Sequence, residues 1–598
     1  MEKTGNFQAD IHDNGYEAKF LEKRLDHTSL LNLAGRMADG LESLDGQWNF
    51  AADWYDTCKR ANWPADSAQV SGGAEESNRP LDYDWEAWER IPVPSTWNLA
   101  RRELLYFEGS GVYTRTFRYT PRSADERLIL RFEGAAYRTT VFLNGVCLGT
   151  HDGASTPFNV DITQTVAREN RLVVAVDARR LPTRVPMENT DWYNYGGLYR
   201  NVLLLRVPAT YIKDWFVRLE RSSACSKIRA DVWLDGAKAS AKVKLSIPGL
   251  GVAEEIQSQD GVASFTIDAE PELWSPTRPR LYEVEISTDN DSVRDKIGFR
   301  EIKTTAHDIY LNGEKIFLKG VSVHEDHILM GKTTNSATIR ATIRDLKEMH
   351  GNYLRLAHYP HDARFARIAD EEGILLWEEI PVYWAIAFDH PETYRDAENQ
   401  LAELILRDRN RASVIVWSVG NENADTDARL TFMSELTKKV RSLDETRLVS
   451  AACLVNHEKL VIEDRLADFL DVFGVNEYYG WYDPDFSKLP QLLANSNPGK
   501  PVVVCEFGGG ARIGQHGSTD DLFSLEFQEN LYKKQVETLK RCPFIAGTSP
   551  WILYDFRCPR RLNRYQEGFN RKGLIDSDRS SKKPAYFVMR DFYRELTP

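Results

Sequence analysis

Two glutamates close uninterrupted apolar runs. Glu422 follows Val-Ile-Val-Trp-Ser-Val-Gly-Asn, which begins at Val414, and Glu506 follows Val-Val-Val-Cys, which begins at Val502. Neither run alternates with polar residues, so both read as strands buried on both faces. A carboxylate at the end of such a strand is either an ordinary polar turn or a group held for chemistry. Glycoside hydrolysis is a chemistry that takes two carboxyl groups: a carboxylic acid protonates the leaving oxygen and a carboxylate attacks the anomeric carbon. The acid must stay protonated near neutral pH, which a neighbouring carboxylate and partial burial both promote. Asn421, one residue before Glu422, can donate to a sugar 2-hydroxyl, a contact that strengthens in the transition state.

These glutamates need a scaffold that gathers strand ends. From about residue 304 the chain alternates strand and helix patterns. Strand candidates are 316–323, 352–357, 374–377, 414–419, 448–453, 472–475, 502–505 and 544–554. One intervening helix carries Ile339, Ile343, Leu346 and Met349 on one face behind an Asn335-Ser336 cap, and another runs from about 521 to 541. Eight such units fit a (β/α)8 barrel, whose active site lies at the C-terminal ends of the strands. Polar residues stand at most of those ends: His324-Glu325-Asp326, Arg355 with His358, Glu378-Glu379, Asn421-Glu422, Asn476-Glu477-Tyr478, Glu506, and Trp551 with Asp555. Strands four and seven face each other across a barrel mouth, so Glu422 and Glu506 can stand at the about 5–5.5 Å separation of a retaining enzyme.

The first half of the chain has a different texture. Residues 1–40 are polar and mixed and read as a loosely attached arm. From 41 to 208 short strands dominate, with period-two alternation over 113–119 and a hairpin about Asn144-Gly145. This reads as a jelly-roll β-sandwich. A second all-β stretch, 209–303, has the strand spacing of an immunoglobulin-like sandwich and carries no evident chemistry. The barrel takes 304–598.

Bulk properties narrow the function. A chain of 598 residues is too long for one core. Its net charge of −13 disfavours nucleic acid as a partner, so an anionic substrate needs a local positive patch. No stretch approaches the ~20 apolar residues of a membrane span. The amino-terminal residues hold no apolar core of signal-peptide length, and seven scattered cysteines form no CxxC pair. Both features suit a cytoplasmic protein without a thiolate metal site. No nucleotide-binding or zinc-protease motif is present.

Together, Arg407-Asp408-Arg409-Asn410 leading into Ser413–Glu422, Val502 through Gly508, Gly320 with His324-Glu325-Asp326, and His358-Tyr359-Pro360 resemble the family 2 glycoside hydrolases over roughly residues 40–598. The resemblance implies a jelly roll, an immunoglobulin-like domain and a TIM barrel, with Glu422 as acid/base and Glu506 as nucleophile. It implies no metal and no cofactor. Within that family, Asn570-Arg571-Lys572 is similar to the Asn-x-Lys pattern with which β-glucuronidases hold the sugar carboxylate. In an extended segment Asn570 and Lys572 point to one side and Arg571 to the other. By the same resemblance Asp191, from the jelly roll, reaches the sugar hydroxyls, and His324, Arg355, Asn476, Tyr478 and Trp551 line the pocket. The implied substrate is a β-glucuronide and the implied assembly a homodimer or homotetramer.

Two departures stand out. Arg411-Ala412 replace a common His-Pro, where little effect is expected; near the carboxylate site Arg560, Arg561 and Arg564 cluster before Asn570, and Gln566 stands where some β-glucuronidases have arginine. A β-galacturonidase, with the same carboxylate grip and another contact to the 4-hydroxyl, is the first alternative, followed by a β-galactosidase. A non-catalytic carbohydrate-binding protein is the alternative from another class, and the presence of both carboxylates argues against it.

Overall fold

The computed structural model describes residues 23–36, 40–59, 63–64, 84–221, 224–236 and 240–596, together with two short strands, Ala9–Asp10 and Glu17–Ala18. Much of the arm expected over 1–40 lies outside the described residues. The described residues 23–36 are not loose: Leu25, Leu30 and Leu31 are buried, and the Leu25 and Asn32 amides donate to Thr150 and Lys213 carbonyls. Apolar residues in a polar stretch are enough to dock it.

The first domain is a β-sandwich of a six-stranded and a four-stranded antiparallel sheet. The expected hairpin joins Arg138–Leu143 to Val146–Asp152. Asn144 and Gly145 take φ values of 51° and 81°, the left-handed pair that a two-residue hairpin turn requires. The second domain packs a three-stranded sheet on a four-stranded one around its own apolar core. A small sheet of Ile302–Thr304, Ile309–Leu311 and Glu314–Ile316 follows. Ile302, Ile309 and Leu311 pack with the inward residues Tyr353, Leu375 and Ile415, so this sheet floors the barrel.

The barrel closes with eight parallel strands: β1 (Leu318–Val323), β2 (Tyr353–Leu356), β3 (Leu375–Glu379), β4 (Val414–Asn421), β5 (Leu448–Leu454), β6 (Phe473–Asn476), β7 (Val502–Glu506) and β8 (Ile545–Thr548). All eight residues of β4 and all five of β7 are buried. The Ser336–Glu348 helix follows β1 with Asn335 accepting from the Thr338 amide at 2.9 Å, and its Ile339, Ile343 and Leu346 face the core. No described helix is long and apolar enough to cross a membrane.

The Arg407–Arg411 segment joins domains. Arg409 pairs with Asp214 of the second sandwich, and the Asn410 side chain bonds the Trp215 carbonyl and the Val217 amide. Arg411 pairs with Asp295 and lies 3.4 Å from Asp370, with all three side chains at most 6% exposed. The residue that departs from the family pattern is therefore an interdomain ion-pair member, a role its place before β4 did not suggest.

Candidate active site

The C-terminal ends of β4 and β7 deliver Glu422 and Glu506 to one cleft of about 480 Å³. Its wall also carries Asp191, His358, Tyr383, Trp384, Tyr478, Tyr482, Trp551, Arg560, Arg561 and Lys572. Glu422 adopts φ 51°, a region that costs a non-glycine residue and is held only when its surroundings fix it. They do: the Glu422 amide donates to the Ala452 carbonyl at 2.8 Å, while the Asn421 amide donates to the Val382 carbonyl at 2.9 Å. The turn after β4 is thus pinned on both sides.

The two carboxyl groups have opposite surroundings. Glu506 accepts from Arg355 Nη1 at 2.8 Å and from the Tyr478 hydroxyl at 2.7 Å. Glu422 accepts from neutral donors, Trp384 Nε1 at 2.7 Å and Asn476 Nδ2 at 3.1 Å. Burial and the Glu506 charge push the Glu422 carboxyl above its ordinary value, against the pull of those two donors. One group is held beside a fixed cation and the other is biased towards keeping its proton.

Arg355 is the hub behind them. Fully buried on β2, it also donates to Glu379 at 3.0 and 3.1 Å and to Asn421 Oδ1 at 2.7 Å. Glu379 has its pKa raised by burial but is carried down to about 2 by Arg355 and His358. With its oxygen committed to Arg355 and to Asn476 Nδ2, Asn421 keeps a buried Nδ2 that has no protein partner among the described residues. That leaves a free donor beside both glutamates.

On the opposite wall Asp191 reaches in from the first sandwich. Arg561 binds it through two contacts, 2.9 and 2.7 Å, and Asn570 Nδ2 donates to it at 3.1 Å. Burial raises the Asp191 pKa, but Arg561 and Lys572 outweigh it and hold the carboxyl low. Lys572 Nζ contacts the Tyr482 hydroxyl at 2.7 Å and lies over the Tyr478 and Tyr482 rings, 5.1 and 4.6 Å from their centroids. Arg571 turns the other way, 3.6 Å from Asp555.

Of the expected site residues, Asp191, Tyr478, Trp551 and Lys572 lie on the cleft wall with the two glutamates. Arg355, Asn421 and Asn476 bond the glutamates or one another from behind. Asn570, expected to hold the sugar carboxylate together with Lys572, and His324, expected to line the pocket, sit deeper. Asn570 is fully buried with both ends of its amide engaged, its oxygen accepting from the Lys572 amide at 3.1 Å. His324 lies under Trp551 in an aromatic layer with Trp192 and Phe556, its Nδ1 3.1 Å from the Tyr359 hydroxyl. Trp384 and Tyr482 join the site without having been singled out, and only the aromatic run Tyr478-Tyr479-Gly480-Trp481-Tyr482 behind β6 carried a signal for one of them. Arg561, noted in the sequence as one of the arginines clustered before Asn570, joins the site as the clamp on Asp191.

Family models match nearly the whole described chain. The glycosyl hydrolases family 2 sugar binding domain covers residues 41–208, a second family 2 model covers 210–300, and the family 2 TIM barrel domain covers 302–597. The chain belongs to glycosyl hydrolase family 2. Among family 2 relatives, a beta-glucuronidase of Paenibacillus borealis is 28% identical over 91% of this chain and 95% of its own length. Two solved structures are similar throughout. A beta-galacturonidase from Eisenbergiella tayi, bound to galacturonate, is 26% identical with a TM-score of 0.79, covering 94% of this chain and 98% of its own. A beta-glucuronidase from an uncultured Clostridium is 26% identical with a TM-score of 0.81, covering 95% and 99%. As a family 2 enzyme the chain is a glycoside hydrolase, and its cleft holds the two carboxyl groups that glycoside hydrolysis requires.

Proposed function

We propose that this protein is a retaining exo-β-glucuronidase. The observation that carries the reading is the contrast between Glu506, held by Arg355 and Tyr478, and Glu422, raised towards the protonated form in the same cleft as Lys572. Glu506 attacks the anomeric carbon while Glu422 passes its proton to the glycosidic oxygen. The covalent glycosyl-enzyme is then hydrolysed by a water that Glu422 deprotonates. The free Asn421 Nδ2 suits the sugar 2-hydroxyl. Arg355 restrains Asn421 and Glu506 together, so nucleophile and donor keep a fixed spacing, which lowers the entropic part of the barrier.

Lys572 supports a uronic acid at this site. The residue is 3% exposed, and its ammonium contacts a phenolic hydroxyl and ring faces, an arrangement that a sugar carboxylate would complete by charge-assisted hydrogen bonding. Asp191, clamped by Arg561, is placed to accept from sugar hydroxyls. The beta-glucuronidase names of several relatives agree with this reading.

A second reading, β-galacturonidase, draws on the similarity to the Eisenbergiella tayi enzyme and on Gln566. Gln566 is buried against Asn563 at 2.8 Å, so no arginine grips the sugar from that position. Kinetics on nitrophenyl β-glucuronide, galacturonide, galactoside, mannoside and glucoside separate these readings. Preference for the glucuronide is expected. Preference for the galacturonide supports the second reading, and preference for a neutral sugar overturns both.

A further inference from the structure

The positive charge on the cleft wall exceeds what a uronic acid needs. Three cations stand there, Lys572, Arg561 and Arg560. Arg561 is neutralised by its two contacts with Asp191, and the proposed substrate carboxylate answers Lys572. Arg355 is committed to Glu379 and Glu506. Arg560 is left over. Its Nη1 donates to a neutral partner, Asn189 Oδ1, at 2.8 Å. The carboxylate within 4 Å of it is Asp191, at 4.0 Å, and both Asp191 oxygens already face Arg561. Its side chain is 44% exposed.

The position of Arg560 gives this charge a use. Its guanidinium lies over the Trp384 ring, 5.2 Å from the centroid, and Trp384 Nε1 holds the Glu422 carboxyl at 2.7 Å. A general acid must reach the glycosidic oxygen, so the groups stacked outward from it border the leaving group. The stack supplies a planar aromatic wall and a pre-oriented cation. In a chain of net charge −13, such a cation at the mouth attracts anions locally.

We propose that Trp384, Arg560 and Asn189 form a leaving-group subsite selecting aglycones that carry a carboxylate, as in an acidic oligosaccharide. This deepens the glucuronidase reading and depends on it for the sugar but not for the aglycone. The test compares 3-carboxyphenyl and 3-carboxamidophenyl β-glucuronides, two leaving groups of similar shape, in the wild type, Arg560→Gln and Arg560→Glu. If the glycoside panel selects another sugar, the same pair is made on that sugar, which keeps the two readings separable.

Arg560→Gln is expected to lower kcat/KM for the carboxylate substrate about three- to tenfold more than for the carboxamide, the range of a partly exposed charge-assisted contact. Arg560→Glu should deepen that difference by repulsion, and raised salt should weaken the carboxylate preference in the wild type and the repulsion in Arg560→Glu while changing Arg560→Gln least. Equal losses on both substrates would reduce Arg560 to a prop for Trp384 and overturn the proposal, as would a ratio untouched by either variant.

Discussion

Trp384 Nε1 donates to Glu422 Oε2 at 2.7 Å. A donor to a carboxylate favours its charged form, so this bond works against the burial and the Glu506 charge that raise the Glu422 pKa. If Glu422 is the acid, it is active when protonated, and the alkaline limb of the pH–kcat/KM profile follows its pKa in the free enzyme. Trp384→Phe removes the donor and keeps the ring. The limb should move to higher pH; movement to lower pH, or none, would separate this bond from the titrating group.

The proposed division of labour predicts unequal lesions. Glu506→Ala should cost about 10⁴-fold or more in kcat on every substrate, because no covalent step remains. Glu422→Ala should cost about 10²–10⁴-fold in kcat/KM on poor leaving groups and much less in kcat/KM on nitrophenyl substrates, whose leaving group departs without a proton, while kcat falls on both because the glycosyl-enzyme lacks its base. Azide should then restore turnover of Glu422→Ala by giving a β-glycosyl azide. An α-azide would instead mark Glu422 as the nucleophile and reverse the two roles.

Lys572→Met keeps much of the stem that packs on Tyr478 and Tyr482 and deletes the charge. A lost charge-assisted bond of about 1.5–3 kcal/mol corresponds to roughly 10–150-fold in kcat/KM. That loss should fall on the glucuronide and spare the matching glucoside. Equal losses on the two would release Lys572 from the carboxylate.

Arg411→Ala leaves the buried carboxyls of Asp295 and Asp370 without this cation. Burial pushes Asp370 up to about 6 even with Arg411 opposing it. Removing one member of a buried pair costs about 3–5 kcal/mol. Urea unfolding should show that loss, with partial recovery in Arg411→Lys. A change below about 1 kcal/mol would mean that the pair does not secure the second sandwich to the barrel.

The barrel was legible because its strands are short apolar runs ending in carboxylates and amides, a pattern set locally. The eighth strand shows where such reading stops. Expected over 544–554, the strand ends at Thr548, two residues before Pro550, which has no amide hydrogen for a ladder. The two glutamates were legible for the same reason as their strands. Trp384 and Tyr482 were not, and Arg561 was visible only as one of a cluster of arginines, because what recruits them is distant in sequence. Trp384 meets Glu422 across 38 positions, Tyr482 meets Lys572 across 90, and Arg561 meets Asp191 across 370. A short-range pattern carries no trace of those meetings. His324 and Asn570 had the right residue types, but packing placed one under Trp551 and the other behind Asp191.

Asp191 belongs to the first sandwich, while Arg561 and Lys572 follow the last barrel strand. The cleft is therefore closed by segments that leave the ribosome several hundred residues apart. A barrel made alone would present these two cations without the carboxylate that lies between them, and like charges would face each other in a half-buried wall. On the roles proposed above, turnover would work as a check on assembly, because the cleft is complete only when the first sandwich has docked onto the barrel.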